Sequence, residues 1–392
     1  MAMDRTDKLF EDFPASSKAD WLAKVEKDLK GRPLEDLHWH LGDQLDIDPF
    51  AHRSDSDGAT ESLSRATSGN DWEIGEYIPV HDVVAANKMA LEGLNGGVQS
   101  LGFELFHPLE DGDLNRLLAG IELPLISVNF GERNPDKQPL VLLRQIVALV
   151  KERSLDNTVI TGSVDFDPML DWSEPPMNKL AEAVHLIHAE LPRYKTVQVN
   201  GRYYHAGPQE TSRELGYMLA KGNAYMAALD DLGVPPEVTN AHLQFSVAVS
   251  TSYFVEIAKI RALRILWLNV LKGYGLENNQ LPEIVGHLAS ETQDEQMYTN
   301  MIRASTQAMS AVIGGVDRLY ILPANSALKE APTPFTRRIA RNLQHLLKME
   351  SHMDKVVDPG AGSYYVEQLT QKIATQAWDV FRKLEARGAF SV

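Results

Sequence analysis

The chain has 392 residues, and its 38 basic and 54 acidic side chains give a formal net charge of −16. Hydrophobic residues make up 44% of the sequence, which excludes a disordered chain and allows a large buried core. The chain has no cysteine, which excludes disulfide scaffolds and thiolate metal sites and suits the reducing cytoplasm. The acidic balance argues against nucleic acid or an anionic membrane as a partner, because both require basic surfaces.

No segment has the pattern of a signal peptide or a membrane span. The first residues carry charges of both signs and lack an apolar signal segment. The most hydrophobic stretches, 140–150 and 253–271, are interrupted by charged residues such as Arg144 and Lys259. Neither approaches the roughly 18 uninterrupted apolar residues of a membrane helix. We therefore predict a cytoplasmic protein without membrane contact.

Residues 1–70 are predicted to form an N-terminal arm and linker. Ser17 is suited to cap a helix because Asp20 follows three positions later, and Gly31 ends it. The apolar face of this helix consists of Trp21, Leu22, Val25 and Leu29. Residues 53–62 are polar and indicate a linker. The apolar face must pack on something, and two alternatives are open: the rest of the chain or a partner subunit.

Residues 71–392 are predicted to form one (β/α)8 barrel. Apolar runs typical of strands occupy 99–106, 124–130, 158–164, 196–203, 242–249, 283–288, 319–322 and 355–357. Helical periodicity occupies 140–151, 177–191, 210–232, 254–271, 297–313 and 335–349. Alternation of this kind, repeated about eight times, is the signature of a TIM barrel. A doubly wound open sheet gives the same alternation, but the count of eight favours the barrel.

Residue types alone give weak candidates for a site. His38 with His40, and His185 with His188, lack the third and fourth ligands of a zinc site, so no metal is predicted. Residues 36–42 approach the pattern Asp-x-His-x-x-Gly of a cobalamin ligand, but the glycine falls one place late and we attribute the match to chance. The glycine-rich run 358–362 is a weak indication of an anion-binding turn.

Two segments carry a more specific signal. One joins Phe-Thr-Arg-Arg-Ile-Ala-Arg-Asn-Leu-Gln at 335–344 to Val-Asp-Pro-Gly-Ala-Gly-Ser-Tyr-Tyr-Val-Glu-Gln-Leu-Thr at 357–370. The other is Val-Glu-Ile-Ala-Lys-Ile-Arg-Ala-Leu-Arg-Ile-Leu-Trp at 255–267. Together they resemble the barrel domain of the adenosylcobalamin-dependent acyl-CoA mutases, above all methylmalonyl-CoA mutase. The N-terminal arm resembles that of the small subunit in the heterodimeric bacterial enzymes.

This resemblance implies a barrel paired with a catalytic large subunit. In the active chains coenzyme A threads the barrel and a C-terminal domain binds cobalamin. Here we expect no such domain within the 392 residues, so adenosylcobalamin would be held by the partner subunit. A subunit contact above about 2,000 Å² is expected for an obligate pair, and the isolated chain is expected to pair with itself.

The resemblance also places three replaced residues at functional positions. Tyr203, at the end of the predicted fourth strand, stands where the active chains have a histidine that contacts the acyl carbonyl. Ser163, on the predicted third strand, replaces a glutamine, and Thr67 lies near the position of a radical-shielding tyrosine. No arginine occurs between Ser163 and Arg193 to bind the substrate carboxylate. We therefore predict no catalytic residues and no cofactor-binding residues in this chain, which would stabilise the heterodimer instead.

Two other functions stay open at this stage. The chain could be the active substrate-binding chain of an acyl-CoA mutase whose cobalamin domain is a separate polypeptide. It could also be a stand-alone binding module whose barrel takes another acidic or neutral ligand.

Overall fold

The fold is that of a computed structural model, which describes residues 16–42, 45–52, 69–131, 138–276, 280–328 and 330–388. The arm begins with helix α1 (Lys18–Leu29). The Ser17 hydroxyl accepts the Asp20 backbone N–H at 3.2 Å, and the Asp20 carboxylate accepts the Ser17 N–H at 2.9 Å. Lys30 then takes a left-handed conformation, with φ of 53°, and ends the helix. The predicted capped helix is confirmed.

A small antiparallel hairpin follows α1 and packs on the chain's own barrel. Strands β1 (Trp39–Leu41) and β2 (Leu45–Ile47) place Leu41, Leu45 and Ile47 in the main hydrophobic core. Lys372 also donates to the backbone carbonyl of Asp46 at 2.5 Å. Helix α1 buries only Leu29. The hairpin therefore packs on the same chain, whereas for the apolar face of α1 both alternatives, the same chain and a partner subunit, stay open.

Eight parallel strands close into a barrel, so the predicted (β/α)8 fold is confirmed. They are β3 (Glu73–Val80), β4 (Ser100–Leu105), β5 (Ser127–Phe130), β6 (Thr161–Phe166), β7 (Tyr194–Asn200), β8 (Leu243–Val249), β9 (Glu283–Leu288) and β10 (Arg318–Tyr320). The last strand pairs with the first through Arg318 opposite Glu73. Closure leaves the barrel without an exposed strand edge.

The sequence-based strand assignment was wrong at both ends of the barrel. The first strand is β3, which was not predicted, and the predicted strand at 355–357 is an irregular segment. Val356 there is exposed, and β10 already occupies the place beside β3. Ser163 therefore lies on the fourth barrel strand, and Tyr203 follows the fifth.

The helices lie around the barrel and confirm the six predicted helical segments. They are α2 (Val83–Asn95), α3 (Asp113–Leu117), α4 (Pro139–Glu152), α5 (Pro168–Asp171), α6 (Met177–Glu190), α7 (Thr211–Asp231), α8 (Pro236–Ala241), α9 (Tyr253–Gly273), α10 (Met297–Gly314), α11 (Pro334–His345) and α12 (Tyr364–Arg387). None of the helices in the described ranges is long and apolar enough to cross a membrane.

Candidate functional site

The barrel encloses a polar cavity of about 290 Å³ towards the C-terminal ends of its strands, where this architecture places its active sites. Alternate residues of each strand face the barrel axis, so all eight barrel strands contribute to the lining. The lining includes the polar residues Asn129, Ser163, Asp165, Gln198, Arg202 and Gln244, together with the rings of Tyr77, His287 and Tyr320. A second, larger groove lies outside the barrel, between the hairpin, α7 and α12.

Hydrogen bonds between neighbouring strands hold one wall of this cavity. The Asn129 amide donates to Ser100 Oγ at 2.9 Å, and its Oδ1 lies 3.1 Å from Ser163 Oγ. Ser163 Oγ also lies 2.8 Å from Asp165 Oδ1. Because a hydroxyl carries one proton, Ser163 donates to one of these acceptors at a time. Its hydroxyl is thus engaged within the barrel wall.

The adjoining part of the wall, on β7 and β8, contains two buried amide oxygens without a partner among the described residues. Gln244 Nε2 donates to Asp165 Oδ1 at 2.8 Å, which turns the Gln244 Oε1 atom away from that carboxylate. This oxygen and Gln198 Oε1 have no hydrogen-bond partner among the described residues. Gln198 is 1% exposed and Gln244 is 2% exposed. An unpaired buried polar atom costs about 1–3 kcal/mol, so this wall favours a group that donates hydrogen bonds.

Three stacked rings line the cavity inside the barrel. The Tyr77 and Tyr320 ring centroids lie 4.8 Å apart, and those of His287 and Tyr320 lie 5.3 Å apart. Gly75 and Gly102 make room for this stack, because a Cβ on either would lie 2.8 Å from the Tyr320 ring. Tyr77 Oη hydrogen-bonds His287 Nδ1.

Burial fixes the protonation states of two of these rings. It lowers the pKa of His287 well below its usual value of 6.5, and the nearby Arg202 and Arg318 guanidinium groups lower it further. It raises the pKa of Tyr320 to about 12, although Arg318 acts in the opposite direction. At neutral pH His287 is therefore an uncharged imidazole and Tyr320 an uncharged phenol.

The buried Arg318 guanidinium forms ion pairs with carboxylates on the two neighbouring strands. The Arg318 guanidinium donates to Glu73 at 2.8 Å and to Glu283 at 3.2 Å. Burial acts to lower the pKa of Arg318, but the two carboxylates outweigh it and raise that pKa. Ser127 donates to Glu73 at 2.5 Å, so the carboxylate is held from both sides.

The sequence matches the family described as methylmalonyl-CoA mutase over residues 109–391. It is 36% identical to the methylmalonyl-CoA mutase small subunit of Porphyromonas gingivalis, over 98% of this chain and 65% of that protein. The chain belongs to the methylmalonyl-CoA mutase family. It is 28% identical to the small subunit of Streptomyces virginiae, over 96% of this chain and 65% of that protein. It is also 28% identical to the methylmalonyl-CoA mutase of Rhizobium meliloti, over 95% of this chain and 58% of that protein.

These figures mean that the chain spans less than two thirds of the length of these relatives. Among solved structures, a Plasmodium falciparum HPPK-DHPS chain is similar with a TM-score of 0.40 and 12% identity, over 77% of this chain and 50% of that one. That likeness is too distant to bear on function.

The positions that the mutase resemblance singled out lie in different surroundings. Ser163 lines the cavity. Tyr203 does not, because the turn Gly201–Tyr204 after β7 leaves its side chain 67% exposed. Its neighbour Arg202 lines the cavity instead. Thr67 lies outside the described residues. The prediction that none of these positions is catalytic stays a prediction.

Sequence reasoning missed the residues that dominate the cavity. Tyr77 lies on the strand that was not predicted, and Tyr320 and His287 were counted only as members of apolar runs. The sequence did carry a signal for this strand, because its side chains alternate with a period of two. One set faces the barrel interior: Glu73, Gly75 and Tyr77. The other set faces the helices: Ile74, Glu76 and Ile78.

Residues 36–42, whose sequence approaches a cobalamin-ligand pattern, are not arranged to bind cobalamin. His40 Nδ1 lies 2.5 Å from Asp46 Oδ1 across the β1–β2 hairpin, and His38 lies 3.7 Å from Asp48. Both imidazoles are therefore engaged on the surface of the arm rather than facing the barrel cavity. The described residues also contain no cluster of three or more His, Cys, Asp or Glu side chains suited to a metal.

The segments that carry the family resemblance form ion pairs between helices and between a helix and a barrel strand. Arg261 on α9 pairs with Asp358 and Glu367, both at 2.9 Å, and so links two of the quoted segments. On α11, Arg337 donates to Glu76 at 2.6 Å and Arg341 donates to it at 2.9 Å. These contacts fix α12 to α9, and α11 to the first barrel strand. Their role is structural.

Proposed function

We propose that this chain is the non-catalytic small subunit of an adenosylcobalamin-dependent methylmalonyl-CoA mutase. In this proposal the large subunit binds adenosylcobalamin and interconverts methylmalonyl-CoA and succinyl-CoA in the cytoplasm, and this chain stabilises the heterodimer. Relatives named as small subunits support it, as does a 24% identical relative named as a large subunit, which indicates that the two subunit types share one barrel ancestry.

The observation that carries the proposal is the set of bulky side chains inside the barrel. A coenzyme A thioester threaded through the barrel would have to displace Tyr320 and the Arg318 ion pair. Separating Arg318 from Glu73 and Glu283 would leave its guanidinium, whose side chain is 3% exposed, buried without a compensating charge. The remaining cavity of about 290 Å³ is small for an acyl chain that must also carry a pantetheine arm.

The surroundings of Ser163 and Tyr203 also support a non-catalytic chain. Ser163 is hydrogen-bonded within the wall, and Tyr203 faces solvent, so neither presents a donor to a reacting carbonyl in the cavity. Loss of one oriented donor of this kind typically lowers the rate by two to three powers of ten. The competing function, an active substrate-binding chain, is favoured by one observation: Arg202 brings a guanidinium to the cavity, where it could pair with a substrate carboxylate.

Exposed aromatic residues on the arm indicate where a large subunit would bind. Trp39 is 42% exposed and Phe50 is 36% exposed, and they line a shallow groove with Phe254 of the barrel. Trp21 stacks on Phe50 with centroids 4.5 Å apart. Exposed apolar patches of this kind mark protein interfaces, and aromatic residues commonly contribute most of the binding energy.

The catalytic part of the proposal is tested by substrate binding and turnover. The isolated chain and its complex with the cognate large subunit are each titrated with methylmalonyl-CoA, and turnover is measured with added adenosylcobalamin. We expect no saturable binding to the isolated chain and turnover only with the large subunit. Turnover by this chain with a separate cobalamin-binding polypeptide would establish the competing function.

The subunit contact is tested separately by association. The double variant Trp39→Ala/Phe50→Ala should weaken binding to the large subunit by at least tenfold, because hot-spot aromatics each contribute about 2 kcal/mol or more. The matched control is Leu125→Ala, which removes an exposed side chain in the turn before β5. Equal affinities for the two variants would place the contact elsewhere.

A further inference from the structure

Five ionisable side chains form a cluster at the C-terminal ends of β7, β8 and β9, outside the barrel cavity. They are His205, which follows the turn after β7, Glu214 on α7, Glu256 and Lys259 on α9, and Glu291 in the turn after β9. Four of these side chains are only 0–3% exposed, whereas that of Glu291 is 61% exposed. None of the five is among the residues that line the cavity, and the proposed function gives them no role.

The two buried carboxylates of the cluster share one ammonium group. Lys259 Nζ lies 2.7 Å from Glu256 and 3.3 Å from Glu214. Burial acts to lower the pKa of Lys259, but the two carboxylates raise it above its usual value, so the amine is charged. Ser250 adds only a neutral hydrogen bond to Glu256, at 2.6 Å. Because a buried carboxylate without compensation is costly, this arrangement requires a second positive charge.

The geometry of His205 allows it to supply that charge, because both of its ring nitrogens face carboxylate oxygens. Nδ1 makes a hydrogen bond of 2.8 Å with Glu214 Oε2. Nε2 is buried and lies 3.1 Å from Glu291 Oε1, which is close enough for an ion pair although not aligned as a hydrogen bond. A neutral imidazole has one N–H, so its other nitrogen would present a lone pair to a carboxylate. Only the imidazolium offers a proton to both.

The position of His205 connects its charge to the mouth of the barrel. Its ring joins the loop after β7, residues 201–210, to the turn Ser290–Thr292 after β9. Within that loop the His205 backbone N–H donates to the carbonyl of Arg202 at 3.3 Å, and Arg202 lines the cavity. A change in the charge of His205 would therefore act on two loops beside the cavity.

We propose that His205 is a pH-sensitive latch. As an imidazolium it holds residues 201–210 against the turn Ser290–Thr292, and loss of its proton as the pH rises releases both segments. The charged groups that face the ring are Glu214 from α7 and Glu291 from the turn after β9, with Lys259 and Glu256 of α9 behind Glu214. The latch goes beyond the proposed function, because it acts whether or not the chain is catalytic.

The test follows the protonation of His205 and the amide exchange of the two loops in the full chain. Proton–nitrogen NMR spectra of the histidine rings distinguish an imidazolium from a neutral ring, and His205→Gln assigns the signal. Because an ordinary histidine loses its charge near pH 6.5, we record both from about pH 5.5 to 9. We expect an imidazolium at about pH 6, where His205→Gln and Glu291→Gln should each speed amide exchange in residues 201–210 and 289–293 at least about fivefold. At about pH 9 the parent should exchange as fast as the variants, because its own latch is open.

The matched control is His185→Gln, at an exposed position on α6, which should leave exchange in both loops unchanged. A neutral His205 ring at about pH 6 would overturn the inference, and so would a ratio of variant to parent exchange that stays constant with pH. If His205→Gln fails to fold, the ring spectra of the parent and the exchange of Glu291→Gln, which changes an exposed side chain, decide the question. None of these outcomes bears on the proposed function, which the substrate titrations test separately.

Discussion

Replacing Arg261 by methionine should destabilise the whole barrel. This guanidinium makes five hydrogen bonds, to Asp358, Glu367 and Thr370, at 2.9–3.2 Å. The Arg261 side chain is 2% exposed, and those of Asp358 and Glu367 are 7% and 11% exposed. Methionine would retain most of the packing volume but none of the donors.

The expected loss follows from the two carboxylates that would remain. Removing one partner of a buried ion pair typically costs about 3–5 kcal/mol, because the other charge stays buried without compensation. Here two carboxylates lose the same partner, so we expect the upper part of this range. A typical unfolding free energy is about 5–15 kcal/mol, and the variant should therefore lose a large fraction of its stability.

Urea unfolding followed by circular dichroism and tryptophan fluorescence measures this loss. The triple variant Arg261→Met/Asp358→Asn/Glu367→Gln removes the stranded charges and should recover at least about 1 kcal/mol relative to the single variant. Arg382→Met, on the exposed face of α12, is the control and should cost less than about 1 kcal/mol because Asp379 is its solvent-exposed partner. A single variant within about 1 kcal/mol of the parent would refute the reasoning.

Three further predictions concern other parts of the chain. Burial lowers the pKa of His242 from 6.5 to about 4, against the effect of its hydrogen bond to the Tyr194 carbonyl. Its stabilising contribution is therefore complete above pH 6.5 and falls by up to about 3 kcal/mol as the pH drops towards 4, which urea unfolding at several pH values will show. Gly162→Ala should cost about 3 kcal/mol or more in the same assay, because φ is +147° and the new Cβ would lie 1.9 Å from the Val128 carbonyl. Ser17→Ala should destabilise α1 locally by about 1 kcal/mol, seen as faster amide exchange in that helix.

Each of these has a control and a contrary result. His242→Gln should flatten the pH dependence between 6.5 and 4, and an unchanged slope would assign the effect to other groups. Gly273→Ala, where the new Cβ meets no atom within 4 Å, should leave stability within about 0.5 kcal/mol of the parent. A fall in the global unfolding midpoint of Ser17→Ala would show that α1 is coupled to the barrel more tightly than its exposure indicates.

The sequence predicted most of the barrel but not its first strand, and the reason is physical. Glu73–Val80 contains Glu73, Gly75, Glu76 and Pro79, all of which are unfavourable in an isolated strand. Glu76 is tolerated because Arg337 and Arg341, about 260 residues later, neutralise it. A prediction from neighbouring residues alone therefore cannot detect the two arginines that make Glu76 acceptable in a strand.

The site was harder to predict than the fold, because the direction of a side chain that follows a strand depends on the turn in which it lies. The resemblance directed attention to Tyr203, yet the short 3-10 turn Gly201–Tyr204 leads to a lining position for Arg202 and an exposed one for Tyr203. Ser163, by contrast, lies within a regular strand whose period of two fixes it towards the axis. The candidate within a strand, Ser163, therefore lines the cavity, whereas Tyr203 in the turn does not.

The motifs by which this chain is recognisable do not lie where a reaction would take place. Arg261, Arg337 and Arg341 bind carboxylates between helices and behind the first strand, outside the cavity. Such buried pairs are costly to break one residue at a time, because each single loss strands a charge. Such contacts are therefore needed whether or not the barrel supports a reaction. The family resemblance does not decide whether this chain is active, which must be judged from the cavity alone.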